Sequence, residues 1–149
     1  MLILVDTNML LRLVEGGHPQ HARAAAAVRS LSQAENELCV VPQVHYEFWV
    51  AATRPIAANG LGMATGEVEA ELRTFGPPLF RLLRDERAIY DVWHALVCQH
   101  SVQGKQAHDA RLVAAMQRHG LTHILTFNVG DFRRYSEITV IDPQQVAAS

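Results

Sequence analysis

Apolar residues in this chain come in two alternating patterns. Leu2–Val5, Leu38–Val41, His123–Thr126 and Ile138–Ile141 are short, largely apolar runs. Such runs read as buried strands. Between them, apolar positions recur every three or four residues, the spacing of a helix with one buried face. That spacing predicts helices over Thr7–Glu15, His18–Ser32, Pro42–Thr53, Thr65–Phe75, Glu86–Val102 and Ala107–His119. Punctuation supports the boundaries. Gly16-Gly17 and Gly120 stop helices, and "QGKQ" (103–106) divides the last two. Pro19 lies in the first turn of the second helix, Pro42 opens the third, and Thr65 reads as a cap. "TRPIAANGLG" (53–62) reads as a loop, Pro78–Leu83 as a further strand, and Asp131–Tyr135 as a short turn.

Solid apolar strands separated by helices imply an α/β fold. The expected architecture is a central, mostly parallel sheet of four to five strands with helices on both faces. Ligands in such sheets bind beyond the carboxyl ends of the strands. At 149 residues the chain reads as one domain, over 1–142, with a tail over 143–149.

Composition narrows the class. The chain is 49% hydrophobic and 19% charged, as globular proteins are. No stretch approaches the roughly 20 apolar residues of a membrane span. No basic region precedes the first apolar run, so no leader and a cytoplasmic location are expected. Cys39 and Cys98 sit among apolar neighbours without a C-x-x-C pair and read as buried thiols. The net charge of −2 does not announce a nucleic-acid binder. Twelve of the thirteen basic residues are nevertheless Arg, which suits bidentate phosphate contacts. A base bias in the gene would give the same excess.

The chemistry lies in acids at one sheet edge. Asp6 ends the first strand, Glu47 follows the second, and Asp131 follows the strand at His123–Thr126. Asp109 opens the helix after "QGKQ". Glu47 shares a helical stripe with Val44, Phe48 and Ala51, and Asp109 begins the stripe of Leu112, Val113 and Met116. Unpaired carboxylates on buried faces are costly. Each acid also has a plain structural reading. Asp6 can cap a helix, Asp109 can favour a helix dipole, Glu47 can reach outward, and Asp131 can cap a turn. All four together would be a coincidence at one edge. Converging carboxylates can instead share Mg²⁺ or Mn²⁺. No Cys/His spacing suggests zinc, and His108 points away from Asp109 if both are helical.

With these residues placed, the sequence resembles the PIN-domain ribonucleases, and among them the VapC-type toxins of toxin–antitoxin pairs. The matching stretches are "LVDTNMLLRL" (4–13), "VPQVHYEF" (41–48), "AHDARLVAAM" (107–116) and "ILTFNVGDF" (124–132), in the family's order. The resemblance implies a single PIN-like domain and Mg²⁺- or Mn²⁺-dependent hydrolysis of RNA phosphodiester bonds. It implies catalytic and metal-binding roles for Asp6, Glu47, Asp109 and Asp131. Family members vary between an acid at the position of Asn128 and one at that of Asp131, and Asn128 turns the choice toward Asp131. Thr7, Asn8, Thr126 and Asn128 would line the site and orient the acids.

The resemblance also implies an antitoxin partner and a homodimer. Trp49, Phe75 and Trp93 offer apolar surface for self-association, and Met9, Leu10 and Leu13 offer a groove for the antitoxin. Arg54, Lys105 and Arg111 are candidate RNA contacts. Arg133, Arg134 and base-stacking Trp residues follow behind them. Two rivals stand beside this reading. One is a catalytically silent PIN fold that binds RNA or protein. The other is an aspartyl phosphatase, disfavoured because Asn8 stands where such enzymes carry a second aspartate.

Overall fold

The computed structural model describes residues 1–147. Five strands form one sheet: β1 (Leu2–Val5), β2 (Glu37–Val40), β3 (Arg81–Leu82), β4 (His123–Leu125) and β5 (Thr139–Ile141). Their order is β3-β2-β1-β4-β5, and every pairing is parallel. Helices cover both faces. They are α1 (Thr7–Val14), α2 (His21–Gln33), α3 (Pro42–Thr53), α4 (Thr65–Thr74), α5 (Ala88–Gln99) and α6 (Gln106–His119). The fold class is the one expected. Because all strands run one way, every strand exit opens on one edge of the sheet.

The central position of β1 explains its composition. Ile3, Leu4 and Val5 are fully buried between β2 and β4, and strands covered on both faces need no polar alternation. The α6 stripe of Leu112, Val113 and Met116 is buried as its spacing implies. On α3 the buried stripe is Val44, Phe48 and Ala52, with Glu47 half-buried at its margin.

Several boundaries differ from expectation, each for a local reason. α2 begins at His21 rather than His18, because residues 18–20 form a turn in which Gln20 N–H donates to His18 Nδ1 at 3.0 Å. α4 is capped at Ala64, not Thr65. The Glu67 carboxylate accepts the Ala64 N–H at 3.0 Å, and Thr65 is the first helical residue. β3 is only two residues long, because the N–H groups of Leu79 and Phe80 turn back to the Gly76 carbonyl. α5 stops at Gln99, where Ser101 turns left-handed at φ 49° and Val102 N–H closes onto the Val97 carbonyl. A 3₁₀ turn occupies Ile56–Ala58 within the expected loop. The short turn placed at Asp131–Tyr135 lies at Val129–Phe132.

Three burial expectations are overturned. Phe75 is a core residue rather than surface for self-association, edge-on to Phe48 at 5.6 Å and stacked on Phe80. Met9 and Leu10 are fully buried and offer no groove, while Leu13 is half-buried. Cys39 is buried but Cys98 is exposed. Of the segment read as a tail, Pro143–Gln145 forms a 3₁₀ turn, and the Ala147 carbonyl accepts from Ser30 Oγ at 2.8 Å. Residues 148 and 149 lie outside the described residues. No helix among the described residues is long and apolar enough to cross a membrane.

Candidate active site

The site begins where β1 ends. Asp6 donates its backbone N–H to the Leu125 carbonyl at 3.1 Å, extending the β1–β4 pairing by one residue. Its carboxylate then caps α1, with Oδ1 accepting the Thr7 N–H at 2.7 Å. Oδ2 accepts from Thr126 Oγ1 at 2.8 Å and from Asn8 Nδ2 at 3.2 Å. The cap reading of Asp6 therefore holds, and the second carboxylate oxygen is held by Thr126 and Asn8.

Small polar residues tie the other walls to this carboxylate. Thr7 Oγ1 donates to Glu47 Oε1 at 2.9 Å, fixing the α3 acid against the start of α1. Asn8 Nδ2 donates to Thr126 Oγ1 at 2.8 Å, and Asn8 Oδ1 accepts the Phe127 N–H at 3.0 Å. Thr126 Oγ1 also accepts the Asn128 N–H at 3.0 Å. Thr126 is fully buried, so this network leaves its hydroxyl satisfied.

Asp6, Thr7, Asn8, Leu11, Glu47, Ala51, Asp109 and Asn128 line one cavity of about 260 Å³. Asp131 does not line it. Its charge nonetheless raises the pKa of both Asp6 and Asp109. Burial is the main reason that Asp6 is pushed up to about 6, with the charges of Glu47 and Asp131 adding to it and the bonds from Thr126 and Thr7 opposing it. Asp109 is pushed up to about 7. Burial is again the largest cause, followed by the charges of Asp131, Asp6 and Glu47, with Arg134 working against them. The charges of Glu47 and Asp131 thus reach both Asp6 and Asp109.

That donor set fits a hard divalent cation. It offers carboxylate oxygens only, and their mutual repulsion is what such an ion relieves. Thr7, Asn8 and Thr126 orient the Asp6 carboxylate without exhausting its acceptor capacity. Among the described residues, no three acid, His or Cys side chains are drawn together tightly enough to hold an ion as they stand. The carboxylates stand apart, as like charges do.

Two features escaped the sequence reading. Gln43, one turn before Glu47 on α3, is 6% exposed. Its Nε2 donates to the His108 carbonyl at 2.8 Å, and its Oε1 accepts from Arg111 Nη1 at 3.1 Å. One amide therefore ties the helix carrying Glu47 to the turn carrying Asp109. A polar residue inside the Val44 stripe was the available signal. The second is the role of Arg134, named above only as an outlying RNA contact: its charge reaches Asp109.

The proposed RNA contacts divide. Arg54 and Arg111 line a second cavity, of about 540 Å³, that also includes Glu47 and Ala51. Arg111 pairs with Asp85 at 3.2 Å, and Arg54 donates to the Asn59 carbonyl at 3.1 Å. Lys105 is exposed just before α6 and lines neither cavity. His108 is exposed. Trp49 is partly exposed, and Trp93 is fixed by donating Nε1–H to the Ala107 carbonyl at 2.8 Å.

The sequence matches the PIN domain family over residues 3–138. The chain belongs to the PIN domain family. No curated protein gives a significant sequence match. Among solved structures, it resembles VapBC2 of Rickettsia felis bound to a promoter DNA fragment, with TM-score 0.68, 11% identity and coverage of 95% of this chain and 98% of that one. It resembles VapC20 of Mycobacterium tuberculosis, a sarcin–ricin loop cleaving toxin, with TM-score 0.66, 19% identity and 90% and 95% coverage. FitAcB of Neisseria gonorrhoeae gives 0.66, 18%, 97% and 99%. At these identities the shared property is the fold, here that of toxin PIN domains.

Proposed function

We propose that this protein is a Mg²⁺- or Mn²⁺-dependent ribonuclease, the toxin of a type II toxin–antitoxin pair, and that it hydrolyses RNA phosphodiester bonds. The observation that carries the proposal is the pocket at the strand exits. There Asp6, Glu47 and Asp109 line one cavity with Asp131 close enough for its charge to reach Asp6 and Asp109, and a hydroxyl and amide network holds Asp6 and Glu47. Membership of the PIN family and a fold shared with toxin PIN domains support it.

Asp6, Glu47, Asp109 and Asp131 would hold the ion. Such an ion, when bound, neutralises charge on the scissile phosphate and lowers the pKa of water. The chain's own part is positional. Thr126 and Thr7 hold Asp6 and Glu47 in place before substrate arrives, so little reorganisation remains. Glu47 and Asp131 orient the attacking water. Hydrolysis adds that water across the P–O bond, and the departing ribose oxygen leaves protonated. Arg54, Lys105 and Arg111 supply cations for flanking phosphates.

An antitoxin would silence this site by inserting an arginine among the carboxylates. Because Met9 and Leu10 are buried, its apolar contacts fall on half-buried positions such as Leu11 and Leu13. The toxin would act in the cytoplasm, as a homodimer that uses Trp49 and Trp93.

The test is cleavage. Total RNA should gain new ends after brief expression of wild type and none with Asp6→Asn. Purified protein should cut RNA with added Mn²⁺ and stop with EDTA. Equal cleavage by the Asp6→Asn protein would sink the assignment.

A further inference from the structure

The loop that leaves the acidic site carries a cation that neither packing nor pairing explains. Arg134 follows Asp131 by three residues, and its side chain is exposed. Its Nη2 donates to Oε1 of Gln106, the first residue of α6. Asp109 lies three positions further along α6, on the face that Gln106 shares. The guanidinium is thereby held beside the first turn of that helix. A positive charge there opposes the helix dipole. Among the described residues, no carboxylate lies within ion-pairing range of Arg134 to offset that cost. Its charge nevertheless reaches Asp109, opposing the rise that burial and the neighbouring acids cause. Arg133, one residue earlier, acts on neither of the raised carboxyls.

Both ends of Arg134 are fixed. Phe132 and Tyr135, which flank the two arginines, are 1% and 2% exposed. The Tyr135 ring meets His100 edge-on at 5.0 Å, and the Tyr135 N–H closes onto the Phe132 carbonyl at 3.1 Å. The backbone is thus anchored in the core, and the Gln106 bond anchors the far end of the side chain. The other guanidinium N–H groups meet no acceptor among the described residues. A preorganised cation with donors to spare stands beside the carboxylates.

We infer that Arg134 is a catalytic residue whose guanidinium donates to a nonbridging oxygen of the scissile phosphate from the α6 side of the acidic site, and that Gln106 is the positioning residue that aims it. The inference rests on the nuclease reading and adds to it a protein donor at the reacting phosphate. As water adds to phosphorus and the bond to the departing ribose oxygen breaks, negative charge spreads over the nonbridging oxygens. A donor already in place there stabilises that state without reorganising. Arg134 keeps its protons throughout, because a guanidinium does not titrate in the working range.

The plain alternative is a tie that only fastens the loop to α6. Arg134→Gln and Gln106→Leu separate the two, since each breaks the same bond but only the first removes the charge. Both side chains are exposed, and thermal unfolding checks that both variants fold. The probe is an oligoribonucleotide spanning a cleavage end mapped in total RNA. Single-turnover cleavage is followed with saturating Mn²⁺ at pH 8.5, above the values near 6 and 7 at which Asp6 and Asp109 titrate. Arg134→Gln should slow cleavage roughly a hundredfold, with affinity for the oligonucleotide in EDTA little changed. Gln106→Leu should slow it no more than about tenfold. Calorimetry without RNA should find Mn²⁺ bound by Arg134→Gln at least as tightly as by wild type, because a repelling charge is gone. Arg73→Gln, which removes an exposed charge from α4, should leave the rate unchanged. Equal losses in Arg134→Gln and Gln106→Leu, or weaker Mn²⁺ binding in Arg134→Gln, overturn the inference in favour of the tie. Cleavage by Arg134→Gln at the wild-type rate overturns it and leaves the nuclease reading standing. A wild type that cuts no RNA overturns the nuclease reading and this inference with it.

Discussion

The Thr126 hydroxyl donates to the Asp6 carboxylate across 2.8 Å, joining two strand ends that lie 120 residues apart in the chain. The same oxygen accepts from Asn8 and from the Asn128 backbone. Thr126→Val therefore strands two donors and removes a bond that holds the Asp6 pKa down. Denaturant unfolding should show a loss of about 2 kcal/mol. Thr126→Ser, which keeps the oxygen, should lose far less.

Gln43 ties the helix of Glu47 to the first turn of the helix of Asp109, so its removal should be felt at the proposed metal site. Gln43→Met deletes both of its hydrogen bonds at similar volume. Gln43→Glu keeps the acceptor for Arg111 but loses the donor to the His108 carbonyl. Calorimetric titration should show Mn²⁺ affinity falling roughly tenfold in Gln43→Met, as for other groups that orient ligands. Equal affinity in Gln43→Met and wild type would show that α3 and α6 keep their spacing without it.

The two raised carboxyls set a pH dependence. Asp6 and Asp109 titrate near 6 and 7 when folded, above the ordinary 3.8. Between these values the folded chain holds protons that the unfolded chain has released, so stability falls as pH rises from about 4 to about 7. Asp6 alone contributes on the order of 3 kcal/mol. Half-exposed Asp109 contributes less. His45, whose pKa burial lowers, works oppositely below 6.5, and comparison with Asp6→Asn in the same buffers cancels it. In EDTA, wild type should lose more stability between pH 5 and pH 7.5 than Asp6→Asn does. Mn²⁺ should stabilise wild type more at the higher pH, and a rise independent of pH would count against a carboxylate site.

The two thiols should separate cleanly. Burial, aided by the charge of Glu37, pushes Cys39 up to about 11, and Cys98 is exposed. A thiol reagent should label one cysteine per native chain and two after denaturation. Cys98→Ser should abolish native labelling.

How far the sequence could be read depended on what each signal encodes. The strands were legible because β1, β2 and β4 are covered on both faces and carry unbroken apolar runs. The gathering of Asp6, Glu47 and Asp109 was legible because strand exits and helical stripes are local patterns. Gln43 was not, since its partners lie 65 and 68 positions away. Leu10, Phe75 and Cys98 were misplaced because spacing shows which side of a helix is apolar but not whether a neighbour covers it. Asn128 and Asp131 could not be told apart by spacing. Asn128 lines the cavity, while Asp131 acts on it through charge.

Because β1 sits between β2 and β4, it is synthesised well before its second neighbour, more than a hundred residues further on. At ordinary translation speeds that interval is on the order of ten seconds. Until Leu125 and Thr126 emerge from the ribosome, Asp6 has neither its backbone partner nor its hydroxyl donor. Any product that terminates short of β4 therefore carries Asp6, Glu47 and Asp109 but neither Thr126, which holds Asp6 in place, nor Asp131.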